Sequence, residues 1–503
     1  MVTDGYRVGV DMKKLRERRF NKSVFITLFL LGIFFYFLPG EWIKLEKDST
    51  AYLMGVWRQD VMPVYPFFLN VLKNIFGETL FLNYVVILQS LLAVISTMVF
   101  VVVLQKQFRL TGYECILLYL LSMLPFSIYL PECGITHQIM TEGITYALFY
   151  LYFTTLLKGI WNLKFHWYLA SVFGAILLCL IRSQMIILQV IEILLLGYIV
   201  YKRGLGNKVK KIIYTMLALA AGVFIALLSY KFVYSVVGWS MQLQSERAAL
   251  DENKVEAENE IAEEGGVAEN ESEPEIVLEA TTQIDSLILC RGFFEADPED
   301  EELFEDQMMK EIFRGIYRRL DEGQHLYKYA EPGLYMWEKL VYDKVGIEAY
   351  LTIMEYDEQN PGIRSKSAGE IWRELGTKIL LKHFDRYIYH TMRLMISSFI
   401  AAVFFQIRPI YLLCHFIALF IYFFALFQMI YSARKKVDKR KIEFMAAIFI
   451  FIIVLAVVIN IVFKGIQRYM VYGMGIFYCA LYLLVKDTIL LPIWDYLKKD
   501  KDK

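Results

Sequence analysis

Residues 40–77 read GEWIKLEKDSTAYLMGVWRQDVMPVYPFFLNVLKNIFG and directly follow the first apolar run of the chain. An acid, Asp48, and then Tyr52 stand in the polar half of this stretch. The run from Phe67 to Phe76 carries apolar residues at helical spacing and ends at Gly77, a residue that favours helix C-caps. We expect this helix to lie along a membrane surface rather than cross it. The alternative interpretation is a solvated loop that joins two spans.

The composition of the chain predicts a polytopic membrane protein. It has 503 residues, of which 57% are hydrophobic, and this is too apolar for a soluble globular enzyme. Apolar runs near the length that crosses a bilayer recur along the chain. The 53 basic and 53 acidic residues balance, so the net charge gives no sign of a nucleic-acid partner.

The apolar runs predict an all-α fold of about ten spans. They lie at about 24–38, 80–104, 115–130, 144–158, 167–181, 185–201, 212–237, 410–430, 444–463 and 469–485. The fifth and sixth runs are short and are separated by Arg182-Ser183-Gln184. This break predicts a helical hairpin whose tip faces the outer side of the membrane. Basic residues near both ends of the chain place the N- and C-termini in the cytoplasm by the positive-inside rule.

The composition also predicts four regions along the chain. They are a transmembrane module at 1–237, a disordered acidic loop at 238–280, a partly helical extracytoplasmic insertion at 281–408, and C-terminal spans with a cytoplasmic tail at 409–503. The acid-rich run 246–279 has too few apolar side chains to order itself. Within the insertion, residues 383–405 are expected to form an interfacial or re-entrant helix, because a crossing there would put the basic cluster 434–441 outside.

Two helix starts are predicted in the insertion. Asp297-Pro298 is typical of an N-cap followed by proline at the first helical position, and an apolar stripe follows as far as Leu320. Ser367-Ala-Gly-Glu370 has the spacing of a capping box.

Polar residues at the predicted outer ends of the spans form the candidate site, because charges beside a span are costly and are functional candidates. They are Asp48, Tyr52, Arg58, Glu132, His137, Glu142, Arg182, Lys464 and Arg468. Acids beside several cations suit transfer from a phosphate, since cations neutralise the departing phosphate and a carboxylate accepts a proton. The alternative interpretation is that Arg182, Lys464 and Arg468 reach lipid headgroups and that His137 is structural.

The cysteines and histidines give no metal-ligand pattern. The six cysteines are scattered, with no CxxC pair. No metal site and no cofactor is therefore predicted, although dependence on a divalent metal stays open.

The order of these features resembles the GT-C superfamily of integral membrane glycosyltransferases. The nearest branch is the bacterial one similar to protein O-mannosyltransferases and the lipid A aminoarabinose transferase. The resemblance rests on DSTAY in the first outer loop, THQIMTEGITYALFYLYF at the fourth span, LIRSQMIILQ at the hairpin and KGIQRYMVYG near the C-terminus. The chain departs from the family pattern where Asp48-Ser49 replaces the common Asp-Glu pair and where Ser183 replaces a proline.

The resemblance implies a GT-C-type bundle and a polyprenyl-phosphate sugar donor. It also implies Asp48 as catalytic base, Glu142 as a second acid that orients groups or meets a metal, and a phosphate contact for Arg182 and Arg468. We add Arg58 and Lys464 to the phosphate-binding set. Tyr52, Glu132 and His137 are acceptor or loop candidates.

We therefore expect a glycosyltransferase of a bacterial cell membrane. It would move a sugar from undecaprenyl phosphate to a cell-envelope glycan, lipid or protein on the outer face. The alternative is a lipid-linked glycan flippase, polymerase or transporter, which would favour charges buried near the membrane midplane. Charges expected only at outer span ends favour the transferase. A third interpretation is an inactive relative that acts as a scaffold.

Overall fold

The computed structural model is helical within the residues that it describes, apart from turns and one isolated bridge. These residues are 22–37, 42–45, 49, 52–53, 62–128, 135–203, 210, 212–229, 231–232, 235–236, 283–329, 336–403, 411–462 and 470–501. The chain divides into two compact units. The first contains described residues of 1–238, 399–455 and 466–503, and the second those of 239–398 and 456–465.

The helices are numbered here in chain order. They are α1 Lys22–Phe37, α2 Val64–Phe76, α3 Phe81–Phe108, α4 Gly112–Ile128, α5 Thr141–Asn162, α6 Phe165–Ile181, α7 Leu188–Arg203, α8 Ile212–Ser229, α9 Gln283–Phe294, α10 Gln307–Glu322, α11 Met336–Gln359, α12 Ala368–Lys382, α13 Phe384–Val403, α14 Tyr411–Arg434, α15 Lys439–Val462, α16 Met474–Val485 and α17 Leu491–Lys501. A π-helical turn, Lys486–Leu490, joins the last two.

Six helical segments in the described part of the chain are long and apolar enough to cross a membrane. They are Phe81–Phe108, Ser183–Arg203, Ile212–Ser229, His415–Arg434, Lys439–Ile461 and Val471–Trp494. Three shorter apolar helices are Ser23–Phe37, Gly112–Pro125 and Phe165–Ile181. The protein is thus a multi-pass helical membrane protein by length and composition of its helices, and the predicted number of ten spans is not confirmed.

Helix α5 forms the centre of the first unit, where it packs against both α3 and α6. Its aromatic side chains Tyr146 and Tyr150 are fully buried. Both hydroxyls donate to the carbonyl of Ser122 on α4, at 3.2 and 2.8 Å. A Cβ atom added at Gly475 would lie 2.3 Å from the same carbonyl oxygen, so α16 approaches α4 as closely as only glycine permits.

The amphipathic helix predicted after the first outer loop is confirmed as α2. It begins at Val64 and ends at Phe76, and Gly77 adopts the positive φ of +76° that glycine tolerates best. Leu69 and Leu72 are buried in a cluster with residues of α3. Its attachment to a membrane surface stays a prediction.

The hairpin predicted around Arg182 is also confirmed in shape. Helix α6 ends at Ile181, Arg182 is extended, and a 3₁₀ turn, Ser183–Ile187, leads into α7. Ser171 of α6 donates a hydrogen bond to Glu192 of α7 at 2.9 Å. Because these residues lie at similar distances on either side of Arg182, the two helices run antiparallel.

The second unit is a helical domain with its own apolar core. Helices α9 and α12 cross at Gly292 and Gly376, where a Cβ added at Gly292 would lie 2.6 Å from the Gly376 carbonyl oxygen. Fully buried residues that share this core are Leu289, Phe293, Met309, Ile312, Phe313, Ile316, Leu320, Val345, Ala349, Ile371, Leu375 and Ile379.

Of the two predicted helix starts in this unit, the one at Ser367 is confirmed. The one at Asp297-Pro298 is confirmed as an N-cap with a first-turn proline, but not as the start of the long helix that ends after Leu320. Asp297-Pro298 opens only a 3₁₀ turn, Pro298–Leu303, closed by a bond from the Asp297 amide to Asp300 at 2.8 Å. Phe304 is then extended, so α10 begins later, with Asp306 as its N-cap. Ser367 and Glu370 form the predicted capping box of α12.

Two other predictions have different outcomes. The segment expected to be interfacial forms helix α13, Phe384–Val403, and it is not one of the six long apolar segments. Its position relative to a membrane stays a prediction. The acid-rich run 246–279, expected to be disordered, lies outside the described residues.

Candidate functional site

A buried ion pair between Glu142 and Arg182 forms the centre of the candidate site. Arg182 Nη1 lies 2.8 Å from Glu142 Oε1, and the side chains are 8% and 2% exposed. Glu142 stands in the first turn of α5, where the helix dipole favours a negative charge. Arg182 is the extended residue at the hairpin tip. The structure therefore brings together two of the predicted site residues, one from each of two separate segments.

Three polar neighbours fix the arginine. Arg182 Nη1 donates to Thr141 Oγ1 at 3.1 Å, and its Nε donates to Gln184 Oε1 at 3.0 Å. The Thr141 hydroxyl in turn donates to Glu142 Oε2 at 3.1 Å. These contacts together hold the guanidinium in a defined orientation.

An aromatic ring from the C-terminal part of the chain completes this centre. The Arg182 guanidinium lies 5.9 Å from the centroid of the Tyr472 ring, within the range of a cation–π contact. Tyr472 belongs to the KGIQRYMVYG segment but was not among the predicted site residues. The sequence feature that points to Tyr472 is its position four residues after the candidate residue Arg468.

Gln89 of α3 connects the helices around the pair. Its Nε2 donates to the carbonyls of Thr136 and Gln138, at 2.9 and 3.2 Å, and its Oε1 accepts from the Tyr65 hydroxyl at 3.1 Å. A Cβ added at Gly143 would lie 2.7 Å from the Gln89 side chain, so this glycine leaves the room that the amide fills. Gln89 was not among the predicted site residues, although a polar side chain within an apolar span is a candidate functional residue.

Tyr65 of α2 lies beside the acid of the pair. Burial raises the pKa of the Tyr65 hydroxyl well above its usual range, and the neighbouring Tyr52 and Glu142 raise it further. The phenol therefore stays protonated and can donate to Gln89. The predicted loop candidate Tyr52 contacts this group, with its ring centroid 5.3 Å from that of Tyr65.

His137 is buried and contacts the backbone of α1. Its Nε2 lies 2.5 Å from the Tyr36 carbonyl oxygen, to which the ring donates, and the side chain is buried. Its ring packs edge-on against Trp42 at 5.3 Å. These contacts are compatible with the structural interpretation, and the role of His137 as an acceptor or loop candidate stays a prediction.

A short parallel bridge joins the segment that precedes α2 to the segment that precedes α5. The Lys44 amide donates to the His137 carbonyl, and the Ile139 amide donates to the Lys44 carbonyl, both at 3.1 Å. The segment that leads to Asp48 is thus fixed beside the segment that leads to Glu142.

The other predicted site residues lie outside the described part of the chain. They are Asp48, Arg58, Glu132, Lys464 and Arg468. Their roles stay predictions. Ser49, next to Asp48 in sequence, is described and is fully buried.

The described residues contain no group of three or more histidine, cysteine, aspartate or glutamate side chains that could hold a metal ion. The absence of a metal in the function stays a prediction, because five of the selected residues are not among those described.

One charged residue contradicts the expectation that charges occur only at outer span ends. Glu192 lies inside the apolar segment Ser183–Arg203 and is 2% exposed. Glu192 was not among the predicted site residues, although an acid within a span is a functional candidate by default.

Comparisons with protein-family models, with curated proteins and with solved structures find no match to this chain.

Proposed function

We propose that the protein is a membrane glycosyltransferase that uses a polyprenyl-phosphate sugar. It would act at the outer face of a bacterial cell membrane, with both termini in the cytoplasm, and transfer the sugar to a cell-envelope glycan, lipid or protein. The observation that carries the proposal is the buried Glu142–Arg182 pair. An oriented guanidinium beside an acid supplies charges that such a transfer uses.

The proposed step forms one bond and breaks one. A hydroxyl oxygen of the acceptor attacks the anomeric carbon, and the bond from that carbon to the phosphate oxygen breaks. The phosphate leaves with the electron pair, and Asp48 takes the proton of the attacking hydroxyl. Positive charge near the leaving phosphate lowers the barrier, because the negative charge on it grows as the bond breaks.

The described contacts favour distinct roles for the two paired residues. Arg182 would contact the donor phosphate, since a guanidinium binds phosphate through several parallel hydrogen bonds. Glu142 would orient that guanidinium through the 2.8 Å contact. Arg58, Lys464 and Arg468 are proposed as further cations at the phosphate.

The test of the proposed reaction compares two acids in the same loop. Membranes containing Asp48→Asn, Asp60→Asn or the parent chain are supplied with undecaprenyl phosphate that carries a radiolabelled sugar, from a panel of sugars. Loss of a general base lowers the rate about 10²–10⁴-fold, so Asp48→Asn should lose transfer while Asp60→Asn retains it. Equal transfer by Asp48→Asn and the parent would overturn the assignment of the base.

Donor binding is tested separately with undecaprenyl phosphate itself. Arg182→Ala should lose the thermal stabilisation that this lipid gives the purified parent, whereas Arg434→Ala, at the far end of α14, should keep it. Retention of the full shift by Arg182→Ala would remove the arginine from the phosphate site.

Transport of a lipid-linked glycan is the second candidate, and Glu192 favours it. An acid buried within a span is a feature of transporters, which bind substrates and ions near the midplane. The two candidates differ in one measurement. A transporter moves labelled lipid-linked glycan across a vesicle membrane without forming a new glycosidic bond, and Asp48→Asn leaves that movement unchanged.

A further inference from the structure

Glu192 lies where an ionised carboxylate is costly. It stands one turn into α7, within a segment of mean hydropathy 1.9, and its side chain is buried. Transfer of an isolated carboxylate into an apolar interior costs several kcal/mol even after relaxation, in the order of magnitude seen in proteins. Among the described residues, no lysine, arginine or histidine forms an ion pair with it.

Three helices surround this carboxyl with uncharged polar groups. The Ser171 hydroxyl of α6 donates to Glu192 Oε2 at 2.9 Å. Tyr152 of α5 and Tyr168 of α6 are close enough to interact electrostatically with the carboxyl, and both are buried. Gln189, one turn earlier on α7, lies on the same side of its helix as Glu192 and beside Cys179 of α6.

Several of these polar atoms have no partner at normal hydrogen-bond distance and angle within the described part of the chain. They are Glu192 Oε1, the hydroxyls of Tyr152 and Tyr168, and both side-chain polar atoms of Gln189. The Tyr152 hydroxyl nevertheless lies beside the Glu192 carboxyl, and Gln189 lies beside the Cys179 thiol. Each such atom is costly in a buried place. The phenols and the amide can donate as well as accept, but none of them carries a positive charge. A proton on Glu192 would therefore neutralise a buried carboxylate that no cation among the described residues balances.

This cluster is separate from the Glu142–Arg182 pair. Both Glu142 and Tyr152 lie on α5, and a helix rises about 1.5 Å per residue, so the two levels are roughly 15 Å apart. Arg182 contacts Glu142, at 2.8 Å, and forms no ion pair with Glu192 within the described part of the chain. The Glu142–Arg182 pair therefore does not account for Glu192.

We propose that Glu192, with Ser171, Tyr152, Tyr168 and Gln189, forms an intramembrane proton-binding site. In the resting protein the carboxyl holds a proton on Oε1, which can donate to a phenol oxygen, while Oε2 accepts from Ser171. The groups that face it are hydroxyls, phenols and an amide, with the Cys179 thiol beside Gln189. The neighbouring helix α8 contributes apolar contacts, in which Gly222 lies against Ile193. The proton is thus the single charge that this site takes up or releases.

The proposal does not depend on the proposed transferase function, and it is tested on the full chain in lipid vesicles. The infrared spectrum of the parent minus that of Glu192→Gln should show a protonated-carboxyl band at neutral pH. The band should vanish at high pH, when the proton leaves. Glu443→Gln is the matched control, because Glu443 interacts with Lys202 and should contribute no such band.

A hydrophobic carbodiimide supplies a second measurement. It reacts with a protonated carboxyl in the membrane: the acid proton moves to a carbodiimide nitrogen, the carboxyl oxygen bonds to the central carbon, and an acyl shift gives a stable N-acylurea. Mass spectrometry should find the adduct on Glu192, with labelling that falls as pH rises.

Two results would overturn the proposal. One is a parent spectrum without the protonated-carboxyl band that Glu192→Gln removes. The other is loss of the band and of labelling when sodium chloride replaces choline chloride at constant pH, which would show that sodium occupies the site. Glu192→Gln should retain the thermal stability of the parent at neutral pH, since it replaces a neutral acid with a neutral amide.

Discussion

Arg182 and Glu142 form an ion pair of 2.8 Å between the tip of one helical hairpin and the first turn of another helix. Both side chains are nearly excluded from solvent. A pair in such a place adds little net stability, because desolvation offsets the attraction, but either partner alone is strongly unfavourable. The pair therefore fixes the hairpin tip relative to α5.

The first prediction follows because removing one partner of the pair costs more stability than the intact pair contributes. Arg182→Met leaves a buried carboxylate without its cation and should lower the free energy of unfolding by about 3–5 kcal/mol. The double variant Arg182→Met/Glu142→Gln should lose much less than the sum of the single losses. Denaturant unfolding in detergent measures both. The exposed pair Lys73–Glu78 is the control, and Lys73→Ala should change stability by less than about 1 kcal/mol.

The second prediction concerns the Gln89 amide. Gln89→Leu removes the donor for two carbonyls and the acceptor for Tyr65, so it should lower the free energy of unfolding by about 1–3 kcal/mol. Gln107→Leu on the same helix is the matched control and should have little effect. Equal stability of the Gln89 and Gln107 variants would show that the amide does not hold these segments together.

The third prediction concerns the start of α12. Ser367 is the N-cap, and its hydroxyl oxygen accepts a hydrogen bond from the backbone N–H of Glu370. Ser367→Ala should therefore destabilise the first turn by about 1 kcal/mol. Hydrogen exchange of the amides at the start of α12 in the intact protein should rise. Ser365→Ala, an exposed serine two positions earlier, provides the comparison and should leave the exchange rates unchanged.

The fourth prediction concerns topology. A single cysteine at position 260 should react with a membrane-impermeant thiol reagent in intact cells, because basic clusters predict that residues 238–387 lie outside. A cysteine at position 439, in the basic cluster at the start of α15, should react only after lysis. Reaction of position 260 only after lysis would reverse the predicted orientation of the whole chain.

Local patterns determined much of the helical structure from sequence alone. The amphipathic spacing and Gly77 predicted α2, the Arg182-Ser183-Gln184 break predicted the hairpin, and the spacing of Ser367 and Glu370 predicted a helix start. Each of these signals acts between residues a few positions apart. A helix turn or cap is therefore stable for reasons that a short segment contains.

Only the tertiary structure decided which polar residues meet. The contacts of Arg182 with Glu142 and Tyr472, of Gln89 with Tyr65, and of Glu192 with Ser171 join segments far apart in the chain. Membrane helices are apolar on all sides, so their sequences carry no polar stripe to show which face turns inward. The packing of whole helices sets that orientation. It is the reason that the contact partners of Gln89, Tyr472 and Glu192 could not be assigned from the sequence, although their polar side chains were visible there.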